Sequence, residues 1–127
     1  MKVETAEATK KQLDWGLAKA MGHLVDVGPV GQVCVEIKSV WHVFDHTDPI
    51  LCFDLIKCYR AWIEQYDDYI EVTIYYPADD SADPDINSMT GSGATLEEAL
   101  ADCLIALKLG DEFECPDELA CKSELEV

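Results

Sequence analysis

Apolar residues first fall into a helical rhythm at Leu13, Leu17 and Met21, which lie four apart, with Ala20 and Leu24 extending the stripe. Thr9 followed three residues later by Gln12 fits a capping box, and Gly22 fits the position just past a helix end. The spacing predicts an amphipathic helix over residues 10–21, with Lys10, Lys11, Asp14 and Lys19 mostly on its other faces. Gly22, Gly28, Pro29 and Gly31 make residues 22–32 read as a loop. Val33, Val35 and Ile37 then alternate with Cys34, Glu36 and Lys38, as in a short strand. The stretch from Val40 to Phe44 is aromatic and β-branched but too short to assign.

Asp48 followed by Pro49 marks a helix start, an N-cap side chain before a residue whose fixed φ suits the first turn. Leu51, Leu55, Tyr59, Trp62, Ile63 and Tyr66 keep helical spacing and predict a second helix over about residues 49–65. The run YIEVTIYY, Tyr69 to Tyr76, is the clearest strand. It sets Ile70, Val72, Ile74 and Tyr76 on one face and Tyr69, Glu71, Thr73 and Tyr75 on a wetter one. Residues 77–86 are acidic and turn-rich, Ile86 to Thr90 complete a hairpin, and Gly91-Ser92-Gly93 end it. Thr95 with Glu98 forms another capping box. It opens a third helix carrying Leu96, Ala99, Leu100, Cys103, Leu104 and Leu107, closed by Lys108 and Gly110.

This order of elements gives an α+β fold, a small antiparallel sheet packed between helices. Residues 1–110 form a single domain in this reading, and residues 111–127, with seven acids and one lysine, form a loosely docked acidic tail. Apolar residues make up 49% of the 127, enough for a core that removes about two thirds of the unfolded surface from water.

Charge changes the picture more than composition does. The net charge is −17, and it is concentrated in one half. Residues 61–127 hold eighteen acids against Lys108 and Lys122, whereas residues 1–60 hold eight acids and seven bases. No Lys or Arg occurs between Ala61 and Leu107. Such a field repels nucleic acid and anionic membrane and attracts basic protein surfaces.

Six cysteines (Cys34, Cys52, Cys58, Cys103, Cys115, Cys121) lie mostly in apolar runs, with no CxxC pair and no apolar leader before them. Reduced, buried thiols in a cytoplasmic protein are the expectation. No apolar run is long enough to span a membrane.

The segment GSGATLEEALADCLIALKLGDEFECPDEL (residues 91–119) resembles the C-terminal part of the phage ABA-sandwich domain, small tailed-phage proteins of unknown function. LDWGLAKAMG (Leu13 to Gly22) and the KLGDEFECPDEL ending are similar to NinX-type phage proteins. Asp102 stands where a basic residue is common in that family. The resemblance implies an α-β-α sandwich, a phage or prophage origin and residence in the host cytoplasm. It carries no catalytic or binding residues.

The candidate chemistries are weak one by one. His42, Asp45, His46 and Asp48 are the best metal donors, but their strand-to-loop setting lacks an assigned third ligand, so an ordinary polar loop is preferred. Asp83, Asp85 and Asn87 begin like a calcium loop that fails at Ser88 and Ala94. Gly91-Ser92-Gly93 lack the lysine of a phosphate loop. The aromatics Trp15, Trp41, Trp62, Tyr66, Tyr69, Tyr75 and Tyr76 lack the interleaved cations of a nucleic-acid platform and read as core packing with a few amphipathic edges. No catalytic residue, metal or cofactor is assigned.

What remains is the acidic run Glu64, Asp67, Asp68, Glu71, Asp79, Asp80, Asp83 and Asp85. It is expected to bind a basic host protein by imitating the charge density of a nucleic-acid backbone, without binding nucleic acid or membrane. The sharpest target is a restriction or CRISPR effector. Two alternatives are a small metal-dependent or thiol enzyme using the His42–Asp48 segment or Cys34, and a structural module that dimerises through a strand edge.

Overall fold

The structure, a computed structural model, describes residues 1–77 and 86–119. In chain order its elements are β1 (Lys2–Glu4), a 3-10 turn (Thr5–Glu7), α1 (Lys10–Ala20), β2 (Leu24–Val27), β3 (Val33–Ile37) and β4 (Val40–Val43). Then follow α2 (Pro49–Tyr59), β5 (Trp62–Gln65), β6 (Ile70–Pro77), β7 (Ile86–Gly93), α3 (Leu96–Lys108), β8 (Glu112–Glu114) and a 3-10 turn (Asp117–Leu119). The fold is α+β. Its strands form three small antiparallel sheets, ordered β1-β8, β2-β3-β4 and β5-β6-β7, rather than the one sheet expected.

Helix α3 is the centre of the core. Thr95 accepts from Glu98 N at its start, Glu97 and Glu98 sit at the positive end of its dipole, and Lys108 sits at the negative end. Ala99, Leu100, Ala101, Cys103, Leu104 and Ile105 are all buried, so the helix is apolar on most sides and packs against β6, β7, α1 and α2. Val72 and Ile74 of β6 point into it, and Leu13, Leu17 and Ala18 of α1 close the other side. Helix α1 also lies against β2 and β3, which contribute Val33 and Val35.

Gly91 does not end a hairpin; it lies inside β7. A Cβ there would meet the backbone N of Cys103 and come within 2.8 Å of the Ala99 carbonyl. At Gly93 a Cβ would come within 2.9 Å of Ala99 N. The two glycines let α3 lie flat on the strand, a close approach that no side chain permits.

Three further expectations are corrected, and one unassigned stretch is a strand. The second helix stops at Tyr59, because Arg60 turns left-handed (φ 54°, ψ 50°) and caps it by donating its N–H to the Ile56 carbonyl. Trp62 and Ile63 then leave in β5, paired to β6, and Tyr66 sits in the turn that follows. The Gly- and Pro-rich stretch 22–32 is two turns around a strand. Gly22 (φ 86°) follows α1 and Gly31 (φ 85°) lies in the β2–β3 connection, with β2 between. Val40 to Val43 form β4, reached through a two-residue turn in which Lys38 and Ser39 both have positive φ, as the right-handed strand twist favours.

Finally, residues 111–119 are not loosely docked. β8 pairs with β1 (Val3 opposite Phe113), the N-terminal amine donates to the Cys115 carbonyl at 2.8 Å, and Phe113, Cys115 and Leu119 are buried. Residues 120–127 lie outside the described residues.

Candidate protein-binding surface

The β5–β6 hairpin carries Glu64, Asp67, Asp68 and Glu71, the residues of the acidic run that the structure describes. Ile63 stands opposite Val72, so the inner face of the sheet holds Ile63, Val72 and Ile74, and every second residue faces outward. The outer face is laid out in rows by the register. Glu64, Glu71 and Ser92 make one row, Trp62, Thr73 and Thr90 the next, and Tyr75 with Ser88 the third. Glu64 and Glu71 are thus direct cross-strand neighbours of like charge, an arrangement that weakens a sheet. Asp67 and Asp68 are exposed at the hairpin tip, between Tyr66 and Tyr69. Asp79, Asp80, Asp83 and Asp85 lie outside the described residues.

The aromatics of this hairpin are not core. Trp62 is 67% exposed and Tyr75 54%, with ring centroids 6.2 Å apart and planes at 82°. Tyr66 and Tyr69 are stacked at 4.8 Å, and Tyr66 donates its hydroxyl to Glu64 Oε1 at 3.2 Å. That carboxylate and its charge raise the Tyr66 phenol above its usual value. Trp41 is exposed on β4, and Trp15 is half-buried against the core. Periodicity misled because Trp62, Ile63 and Tyr66 continue the spacing of α2. The alternation of the β6 run did mark Glu71, Thr73 and Tyr75 as the wetter face.

None of these carboxylates is neutralised from within the described residues. The ion pairs there join the N-terminal amine to Glu114 and Asp117 and Lys2 to Glu112, and the one carboxylate–imidazole contact is Asp14 with His46. The cation–π contacts there place Lys19 on Trp15 and Lys108 on Tyr59, away from the hairpin.

The His42–Asp48 segment is split by the fold. His42 is exposed on β4 opposite Val35, and Asp48 accepts from Ile50 N at 3.0 Å as the α2 cap. His46 is 2% exposed, and its partner is Asp14 of α1, which the sequence placed on the polar side of the helix. Asp14 Oδ1 accepts from His46 N at 2.7 Å and lies 2.6 Å from His46 Nδ1. His46 Nε2 on the other side of the ring is buried without a partner among the described residues. Nothing local in the sequence links positions 14 and 46; only the packing of α1 on this loop does.

Asp45 completes a group with Asp14 and His46 whose donor atoms lie within 4.8 Å of one another. One imidazole and two carboxylates are transition-ion donors. Asp14 Oδ1 is committed to His46, however, and Asp45 Oδ1 accepts from Thr47 N at 2.9 Å and Thr47 Oγ1 at 2.6 Å. Those Thr47 bonds hold the Asp45 carboxyl below its usual range. The arrangement is that of a strut joining α1 to the β4–α2 loop.

The five described cysteines are free. Burial pushes the thiols of Cys52, Cys103 and Cys115 up to about 11, and at Cys52 the charges of Glu97, Asp48 and Asp45 add to it. The Cys52 thiol donates to the His46 carbonyl at 3.2 Å and does not address the imidazole. Cys52 and Cys103 lack the electropositive setting of a nucleophilic cysteine, and at Cys115 the N-terminal amine lowers the thiol by less than burial raises it. The Gly91–Gly93 amides that resembled a phosphate cradle are partly spent: Ser92 N donates to Asp102 at 3.0 Å, and the following Ala94 N to Glu98 at 3.3 Å. No described helix is long and apolar enough to cross a membrane.

A scan against protein-family models found no match to the chain, and a search of curated proteins found none either.

Proposed function

We propose that this chain is a non-enzymatic, protein-binding accessory protein of a phage or prophage, acting in the host cytoplasm. Its acidic hairpin takes the place of nucleic acid on a basic protein surface. In the sharpest form of the reading the partner is a host defence protein, such as a restriction or CRISPR effector, and binding blocks it. The phage setting rests on the resemblance of residues 91–119 and 13–22 to tailed-phage proteins.

The observation that carries the binding role is Glu64 set opposite Glu71, with Asp67 and Asp68 at the tip and no cation to offset them among the described residues. Solubility alone is served by charges anywhere on the surface. It does not call for like charges in register beside exposed aromatic rings.

Capture from host lysate at about 50 mM and about 500 mM salt tests the reading. A nucleic-acid-binding protein held at low salt, released at high salt and not captured by the E64Q/D67N/D68N/E71Q variant is the expected result. Capture that ignores both salt and the substitutions would overturn it. A second reading, dimerisation, is favoured by one feature, the β5 edge, unpaired on its outer side among the described residues. Two copies meeting there would bring Glu64 and the hairpin acids together, so sedimentation at low salt is expected to show a monomer.

A further inference from the structure

We infer that the β5–β6 surface selects arginine over lysine, so that the partner presents arginine side chains to it. This rests on the protein-binding reading above and adds the chemistry of the group recognised. The register sets Trp62 one row, two residues along the strand, from Glu64 of the Glu64/Glu71 pair, and Tyr75 one row beyond Trp62. Two residues of strand span about 6.8 Å. A guanidinium lying on the Trp62 ring, which Tyr75 flanks at 6.2 Å, therefore has the Glu64 carboxylate within reach of its N–H fork.

Arginine combines these two contacts in one group. Its guanidinium is planar, stacks on aromatic faces, is more weakly hydrated than an ammonium and meets a carboxylate with two parallel hydrogen bonds. Lysine offers a compact, strongly hydrated charge and takes less from the rings. The hairpin tip repeats the combination, with the stacked Tyr66 and Tyr69 around Asp67 and Asp68. Both ring pairs are exposed, and neither is covered by a cation from the described part of the chain. A surface serving charge alone would have no use for exposed rings on the same face as its acids.

The test is fluorescence anisotropy with labelled nona-arginine and nona-lysine peptides on the full chain at about 100 mM salt. The arginine peptide is expected to bind about tenfold more tightly. In the W62A/Y75A variant the advantage is expected to disappear while lysine-peptide affinity stays unchanged. W62L/Y75L, which keeps apolar cover but removes the rings, is expected to behave the same way and guards against a folding artefact. E64Q/E71Q is expected to weaken both peptides. Equal affinities in the unmodified protein, or an arginine advantage that survives both ring variants, would overturn the inference and leave charge-based protein binding standing. Failure of both peptides to bind would overturn that broader reading as well.

Discussion

At the scale of single residues, the chain invests most in the Asp14–His46 contact. Both groups are buried, and one carboxylate oxygen serves the backbone and the ring of the same histidine. Asp14→Ala leaves the buried His46 groups without their partner and is expected to destabilise the fold by about 1–3 kcal/mol in urea denaturation. A loss under about 1 kcal/mol would mean the loop holds itself.

Asp102 runs the other way. Burial raises its carboxyl, while the Ser92 N–H lowers it. The folded state therefore holds a proton on this group more tightly than the unfolded chain does. Ionisation weakens the fold as pH rises through the unfolded carboxylate range, and the effect is complete above the folded pKa. Asp102→Asn keeps an acceptor for Ser92, so its urea midpoint is expected to exceed that of the unmodified protein at pH 7 and to converge with it at low pH. The thiols of Cys52, Cys103 and Cys115, at about 11, are expected to escape iodoacetamide at pH 8 in the folded protein and to react once it is unfolded, as read by peptide mass spectrometry.

At the scale of elements, legibility followed the range of the interactions involved. α1 and α3 were readable because their signals are local: Thr9 with Gln12, Thr95 with Glu98, and apolar residues three and four apart. The β6 alternation was readable for the same reason. β2, β4 and β5 were not, since each is four residues long and becomes a strand only through its partner. Arg60 and Lys38-Ser39 take left-handed turns without the Gly or Asn that advertises them. The hairpin acids were named from sequence, but their register opposite one another and their ring neighbours were not, because Trp62 had been placed on a helix.

Gly91 reads from the sequence as a turn residue, whereas its role is in packing. Gly91→Ala forces α3 away from β7 and is expected to lower stability by about 1–3 kcal/mol in thermal or urea unfolding. An unchanged midpoint would show that the helix can slide.

At the scale of the whole molecule, two regions divide the work. The core around α3 is apolar, tightly packed and closed by the β1–β8 pair, which ties the N-terminus to residues 112–115. The β5–β6 hairpin extends its acids and aromatic rings into solvent and is supported by only one face of its sheet. Charge steers such a surface to a basic partner quickly and makes the association sensitive to salt. Under the proposed selectivity, the rings then favour arginine over lysine.

The most direct measurement is competition. A captured partner is loaded with labelled duplex DNA or RNA at about 50 mM salt and titrated with this chain, following the label by anisotropy. Displacement of the nucleic acid by the unmodified protein, but not by E64Q/D67N/D68N/E71Q, is the result expected of a nucleic-acid mimic. A stable ternary complex, with nucleic acid and this chain bound together, would contradict it.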